Sequence, residues 1–289
     1  MLDAAVALPA SDFDRRRKRR RRTLLTFLSA HAGMTIVSLL FAGPIIIIIV
    51  ASLKSSTILD YSFGPGTWSF HNYIQVLSNP LMPRYILNSF IVAGSLTVLT
   101  VFIDLLAAFA FAKLPFPGRK LTFGLMLATL MLPFSVTLVP AYLITASLGM
   151  IDSYAGIVIP SLAGPFGVFL LRQFMMGIPD SFIEAARIDG ASYLRIFRSI
   201  IVPLCAQPMA VLAIFTFVAG WNAFLWPLLI TQSEELRTLT LGIAIGNTQN
   251  TTNYGGITAA VILSLIPMAI LFFAFQRYFV NGILAGALK

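Results

Sequence analysis

Acidic side chains are scarce in this chain. Eleven Asp and Glu stand among 289 residues, against 20 Lys and Arg, and charged residues of both signs make up only 11% of the sequence. Cysteine occurs once, at Cys205. Histidine occurs twice, as His31 and His71, with no cysteine beside either. Each shortage removes a class of explanation. One cysteine excludes an intrachain disulfide, and Cys205 reads most simply as a small core residue. Two isolated histidines supply no zinc-type ligand set, so no metal is expected. No nucleophile–base cluster stands out, which argues against an enzyme. The pattern GxxxxGK[ST] is missing, so the chain has no P-loop with which to hold ATP.

Apolar residues are present in excess. They make up 58% of the chain, and the mean hydropathy is +0.88. A soluble domain could not bury that much apolar surface, so the natural solvent is lipid. The net charge of +9 is concentrated, with eight basic residues in one run, RRRKRRRR, from Arg15 to Arg22. No aromatic residue interleaves that run, which speaks against nucleic acid. A basic block just ahead of an apolar span fits a cytoplasmic anchor on anionic headgroups. The apolar stretch after it exceeds a signal-peptide core, and no small-x-small cleavage site follows, so it reads as a retained first span.

About 20 apolar residues cross the hydrocarbon core as a helix. Six stretches qualify: His31 to Leu53, Tyr85 to Ala112, Leu121 to Leu148, Tyr154 to Met176, Ile200 to Ile230 and Gly256 to Phe279. Several contain proline (Pro44, Pro133, Pro140, Pro160, Pro165, Pro227, Pro267). Kinked helices need neighbours to satisfy the released backbone groups, so the expectation is a packed bundle. With the N-terminus inside, 17 of the 20 Lys and Arg fall on the cytoplasmic side. The fold class is therefore all-α: a polytopic membrane protein of six spans with both termini cytoplasmic. Residues 1–30 form a basic cytoplasmic segment and residues 31–289 a transmembrane domain, with a cytoplasmic loop at 177–199.

That loop is longer than a connection requires, and it carries helix signals. Ser181-x-x-Glu184 has the form of a capping box. Phe182, Ile183, Ala185, Ala186 and Ile188 supply a short, partly apolar helix, and Gly190 can take the left-handed conformation that ends it. A second helix starts near Ser192. Ala185 and Ala186 allow close approach, and Glu184, Arg187 and Asp189 place charges around them. Two readings are open on these residues alone: a surface that docks into a soluble partner, or a solvated loop on the headgroups.

The spacing also resembles a known family. Glu184-Ala185-Ala186, then Gly190, Ile200 and Val202-Pro203, is similar to the EAA signature of permease subunits of ATP-binding-cassette (ABC) importers, which prefers Leu where Val202 stands. NSFIVAGSLTVLTVFIDLLAAFAFAKLPFPGRK, FTFVAGWNAFLWPLLI and QRYFVNGILAGALK resemble the maltose-permease-like, carbohydrate-uptake branch. The resemblance implies the six-helix architecture of type I importer permeases in a prokaryotic inner membrane. It implies a permease that is not an enzyme. Its expected partners are a second homologous permease, two ATP-binding subunits and an extracytoplasmic solute-binding protein, with ATP bound by partner subunits. Glu184, Ala185, Ala186, Arg187, Asp189 and Gly190 would then form the helix that couples to the ATPase. The solute expected is a sugar or a sugar-like molecule, with a glycerol-phosphate-type or polyol solute as the alternative. A different class, an ion-coupled carrier, would usually show repeats and several buried ionisable groups.

Asp104 is the one clear ionisable residue deep in a span. It is a candidate for the solute pathway, or else a structural hydrogen bond near the cytoplasmic boundary. Trp221 and Asn222 pair an aromatic face with an amide, which suits a sugar, or else they pack the span. The outer loop Thr231 to Gly255, rich in Asn, Thr and Gln, would meet the binding protein or simply be solvated. Trp68, Phe70 and Tyr73 look like interface anchors. The tail after Phe279 would reach the ATPase subunits or fray.

Overall fold

A computed structural model describes residues 10–54, 68–162, 164–249 and 254–287, with side chains at Phe27, 29–54, 68–162, 164–246 and 254–274. Every extended element among them is a helix, and the only β contact is an isolated bridge between Lys54 and Trp68. The first helix, α1 (Ala10–Ser52), runs unbroken through residue 30, so the basic run and the first span share one helix. Helix α2 (His71–Leu77) closes the end of α1. The Asn72 amide donates to Ser52 O and Lys54 O at 2.9 and 2.8 Å, supplying partners for carbonyls that a helix C-terminus otherwise leaves bare.

Three stretches are long and apolar enough to cross a membrane as single helices: Ser29–Ser52 of α1, α3 (Met82–Lys113) and Tyr254–Ala274 of the last helix. Three bent pairs raise the number to six if each pair is one span. Helix α4 (Arg119–Ala128), extended by a 3-10 turn to Met131, meets α5 (Phe134–Ser147) at 104°, with Pro133 at the break. Helix α6 (Tyr154–Val158) and its 3-10 extension to Leu162 meet α7 (Pro165–Met176) at 46°. After α8 (Ser181–Ile188), α9 (Tyr193–Ile196) runs through a π turn into α10 (Val202–Leu204), and this rod meets α11 (Ala206–Trp221) at 75°.

The expected fifth span, Ile200 to Ile230, is thus corrected. Its first residues belong to the preceding rod, the chain turns at Cys205, α11 ends at Trp221, and α12 (Leu225–Ile230) resumes after a short irregular stretch. The segment beyond it contains α13 (Leu239–Gln249), and α14 (Tyr254–Ala287) is the last helix. Residues 250–253 of that segment, and the side chains beyond residue 274, lie outside the described residues.

Helix α3 is the axis of the bundle, packed on α11, α7, α6 and α13. In lipid, tight association comes from close packing and not from expulsion of water, so small residues mark the crossings. A side chain at Gly220 of α11 would press within 3.2 Å of the Ala93 backbone of α3. At Gly167 of α7 a Cβ would overlap the Asp104 carboxylate and lie 2.9 Å from Leu212.

Candidate coupling segment and its link to the spans

Helix α8 is amphipathic. Ile183 is buried and Ala186 half-buried against a core of Phe109, Leu171, Met175, Ile196 and Cys205. Glu184, Ala185, Arg187, Asp189 and Gly190 are exposed. Ile188 is 86% exposed, which leaves a bare apolar side chain in the middle of a charged face. Gly190 takes φ +78°, as the sequence predicts. Its N–H donates to Arg187 O at 3.0 Å and the Ala191 N–H to Ala186 O at 2.9 Å, the two bonds of a Schellman stop. Ser192 then caps α9 by accepting from the Arg195 N–H at 3.4 Å. The Arg187 guanidinium lies over the Tyr193 ring at 5.2 Å, tying the two short helices together across the turn.

The expected capping box is corrected. Asp180, not Ser181, occupies the N-cap, and its side chain makes no capping bond to α8. The reason is a competing partner. Asp180 Oδ1 accepts from Lys113 Nζ at 2.6 Å, and the same ammonium donates to Ile178 O at 2.7 Å. Lys113 is the last residue of α3, and its side chain is only 5% exposed. The second span is therefore bolted to the entrance of α8. In the sequence Lys113 is simply one of the 17 Lys and Arg on the expected cytoplasmic side, because its partners stand 65 and 67 positions away.

The three pathway candidates separate. The Asp104 side chain lies between α3 and α7, is 2% exposed, and its Oδ2 has no hydrogen-bond partner among the described residues. Trp221 faces inward at 1% exposure. Its Nε1–H donates to Ser264 O at 3.2 Å and its ring packs edge-on against Phe90, with centroids 4.9 Å apart. Asn222 is exposed, on the break between α11 and α12, with its amide donating to Val218 O at 2.9 Å. The structure turns this pair in opposite directions.

On the opposite face of the bundle, the segment after α12 is pinned by buried polar groups. The Asn88 amide donates to Glu235 O and Arg237 O at 2.7 and 2.8 Å, and its carbonyl accepts from Tyr154 OH at 2.6 Å. Ser89 Oγ accepts from the Leu239 N–H at 2.8 Å. Asp152, with φ +54°, accepts at Oδ1 from Ser233 N–H, Gln232 N–H and Ser233 Oγ at 2.9–3.0 Å. The backbone bond from Ser233, followed by that from Gln232, holds its carboxyl below the ordinary carboxylate pKa. Asn88 and Ser89 open the stretch quoted above for its resemblance, but nothing in the sequence ties their side chains, or that of Asp152, to the polar segment they hold.

Comparison with known proteins identifies the family and the fold. Residues 104–284 match the family described as "Binding-protein-dependent transport system inner membrane component". The sn-glycerol-3-phosphate transport system permease protein UgpE of Salmonella choleraesuis is 45% identical over 199 residues, 68% of this chain and 71% of that one. Its counterpart in Escherichia coli O6:K15:H31 is 43% identical over 202 residues, 69% and 72% of the two chains. Among solved structures, a chain of a bacterial ABC transporter involved in the import of the acidic polysaccharide alginate superposes with a TM-score of 0.78. It shares 23% identity, with coverage of 90% of this chain and 98% of that one. A chain of the bacterial alginate transporter in complex with an alginate pentasaccharide-bound periplasmic protein gives 0.68, at 18% identity and 90% and 95% coverage.

Proposed function

Because the chain belongs to the binding-protein-dependent transport system inner membrane components and is a permease subunit of an ABC importer, we propose that α8 is the handle by which ATP-binding subunits move its spans. The observation that carries this reading is the bolt from Lys113 to Ile178 and Asp180. A push on the exposed face of α8 reaches α3 through that bolt and reaches α7 through Ile183 in the shared core. Glu184, Ala185, Arg187, Asp189, Gly190 and the bare Ile188 form the docking face, with Ala186 beneath it. Hydrolysis belongs to the partner subunits, so this chain carries no catalytic residue and no cofactor of its own.

The assembly we infer is a second homologous permease, two ATP-binding subunits and an extracytoplasmic solute-binding protein, in the inner membrane of a prokaryote. The pinned segment from Thr231 onward offers the binding protein a fixed surface. The solute is a sugar or a glycerol-phosphate-type molecule; the sn-glycerol-3-phosphate permeases among the relatives support the latter, and the alginate importers share the fold. Asn222, exposed at a helix break, is the best placed of the three candidates to meet it, since irregular backbone within a span is tolerated where it lines a cavity. Trp221 and Asp104 serve packing. The ion-coupled carrier falls with the family membership.

The test is a mild-detergent pull-down from native membranes with the co-purifying proteins identified. An ATP-binding subunit and a second permease at equal stoichiometry are the expected result, and Glu184→Lys is expected to lose the ATP-binding subunit while keeping the second permease. A chain recovered alone overturns the assembly. Retention of the ATPase by Glu184→Lys overturns the role of α8.

A further inference from the structure

The corner between α3 and α4 carries cations that the coupling mechanism does not use. The loop LPFPG, residues 114–118, turns the chain there, with Gly118 at φ +78°. Arg119 Nη1 donates to Leu114 O at 3.2 Å and holds the turn closed. Lys120 is exposed and makes no ion pair among the described residues. Behind the turn, the Phe111 ring packs on Phe116 and Phe123, with centroids 5.8 and 5.4 Å away. The Arg172 guanidinium of α7 lies over Phe123 at 4.0 Å, while its Nε–H donates to Phe111 O at 3.2 Å. Residues 115–121 line an open concavity of about 760 Å³.

Arg119, Lys120 and Arg172 thus stand beside an aromatic cluster, and among the described residues none of them pairs with a carboxylate. No Asp or Glu occurs in the sequence between Asp104 and Asp152. Asp180, the acidic group nearest this end of α3, is held by Lys113. Directly after Lys120, Leu121 and Leu125 stand one turn apart on α4, 68% and 62% exposed. Cations and aromatic rings at one end of an apolar helical strip match the order of layers at a membrane surface: headgroup, interface, hydrocarbon. The charge distribution assigns this end to the cytoplasm, where the leaflet carries anionic lipid.

We propose that this corner binds the headgroup of an anionic phospholipid of the cytoplasmic leaflet. The lipid phosphate sits against Lys120 and Arg119, and an acyl chain lies along Leu121 and Leu125. The site depends on the orientation of the spans and not on the identity of the solute or of the partner subunits.

The test places a fluorophore at Thr122→Cys in a Cys205→Ala background of the full chain, Cys205 being buried. The chain is reconstituted in phosphatidylcholine vesicles. These contain an equal small fraction of nitroxide-labelled phosphatidylglycerol or nitroxide-labelled phosphatidylcholine. Phosphatidylglycerol is expected to quench several-fold more effectively. That preference should fall roughly fivefold with Lys120→Gln, and further with Arg119→Gln, on the scale of a surface cation near anionic lipid. The N-terminal basic run is the same in every variant, so the change between variants reports the corner alone. Equal quenching by both lipids in the parent overturns the proposal, and so does a preference that survives both substitutions. Shielding of the probe only when an ATP-binding subunit is added, without headgroup preference, also overturns it and makes the corner a protein contact.

Discussion

Lys113 holds two oxygens at once, and their environments differ. Asp180 is 74% exposed, so the ion pair itself is worth at most about 1 kcal/mol. Ile178 is buried, and its bond from the ammonium is the protected one; a hydrogen bond with one charged partner is worth about 2 kcal/mol. Lys113→Met keeps the aliphatic stem and removes both bonds. In the reconstituted importer it is expected to lower solute-stimulated ATP hydrolysis severalfold while the amount inserted in the membrane stays unchanged. Unaltered stimulation would mean that the bolt does not transmit. Gly167 poses a different residue-scale question. Gly167→Ala pushes a methyl into the Asp104 carboxylate and Leu212, and overpacking of this kind costs about 1–3 kcal/mol. Its thermal midpoint in detergent should drop, and Asp104→Ala should relieve part of the loss in the double variant, because the two side chains compete for one space. Strict additivity would remove that link. Asp152 supplies the pH dependence. Its folded pKa is lowered, first by the Ser233 N–H. The stabilisation is therefore complete above the unfolded value of about 3.9 and is lost as pH falls through the lower, folded value. Hydrogen-exchange protection of the Ser233 amide, corrected for intrinsic rate, should hold from neutral to mildly acidic pH and fall only below about pH 4.

At the scale of the element, the role proposed for α8 depends on its sharp stop. Gly190 at φ +78° turns the chain so that α9 runs back toward the spans while the exposed face of α8 stays presented. An Ala there carries a strain of about 1 kcal/mol, so Gly190→Ala should weaken co-purification of the ATP-binding subunit modestly. Gly190→Pro cannot adopt the angle at all and should abolish it, with protease accessibility of the outer loops showing the spans still inserted. Full retention by Gly190→Pro would show that the turn is dispensable. The broken spans follow the same chemistry. Pro133 sits at the 104° break and Pro165 opens α7 after the 46° bend, since proline tolerates a first helical turn but not an interior position without neighbours to compensate. The sequence marks these prolines as kinks in spans that must pack as a bundle. It does not show that Asn222 lies on the break after α11 while Trp221 turns inward, because the order of two adjacent residues does not say which helix face meets the core.

At the scale of the whole molecule, the distribution of Lys and Arg makes a statement about topology that fusions can check. Reporters joined to either end should be active only in the cytoplasm, and a reporter inserted after Gln249 only outside. An opposite result at one end would remove one span from the count of six. Composition, the 20-residue apolar periodicity and the basic bias set the class, the membrane and the orientation expected, because transfer from water to lipid depends on side-chain type and barely on what touches what. The EAA spacing located α8 and its stop at Gly190, because helix ends are local events written within a few residues. What only the tertiary structure decided depends on partners far apart in the chain. The Asp180 carboxylate at the entrance of α8 is taken up by Lys113 and does not cap the helix; Asn88 and Asp152 pin a segment some 80 to 149 residues away; Gly167 leaves room for the Asp104 carboxylate. Such contacts are fixed when helices pack against one another, and a single chain's residue order does not state which ones will meet.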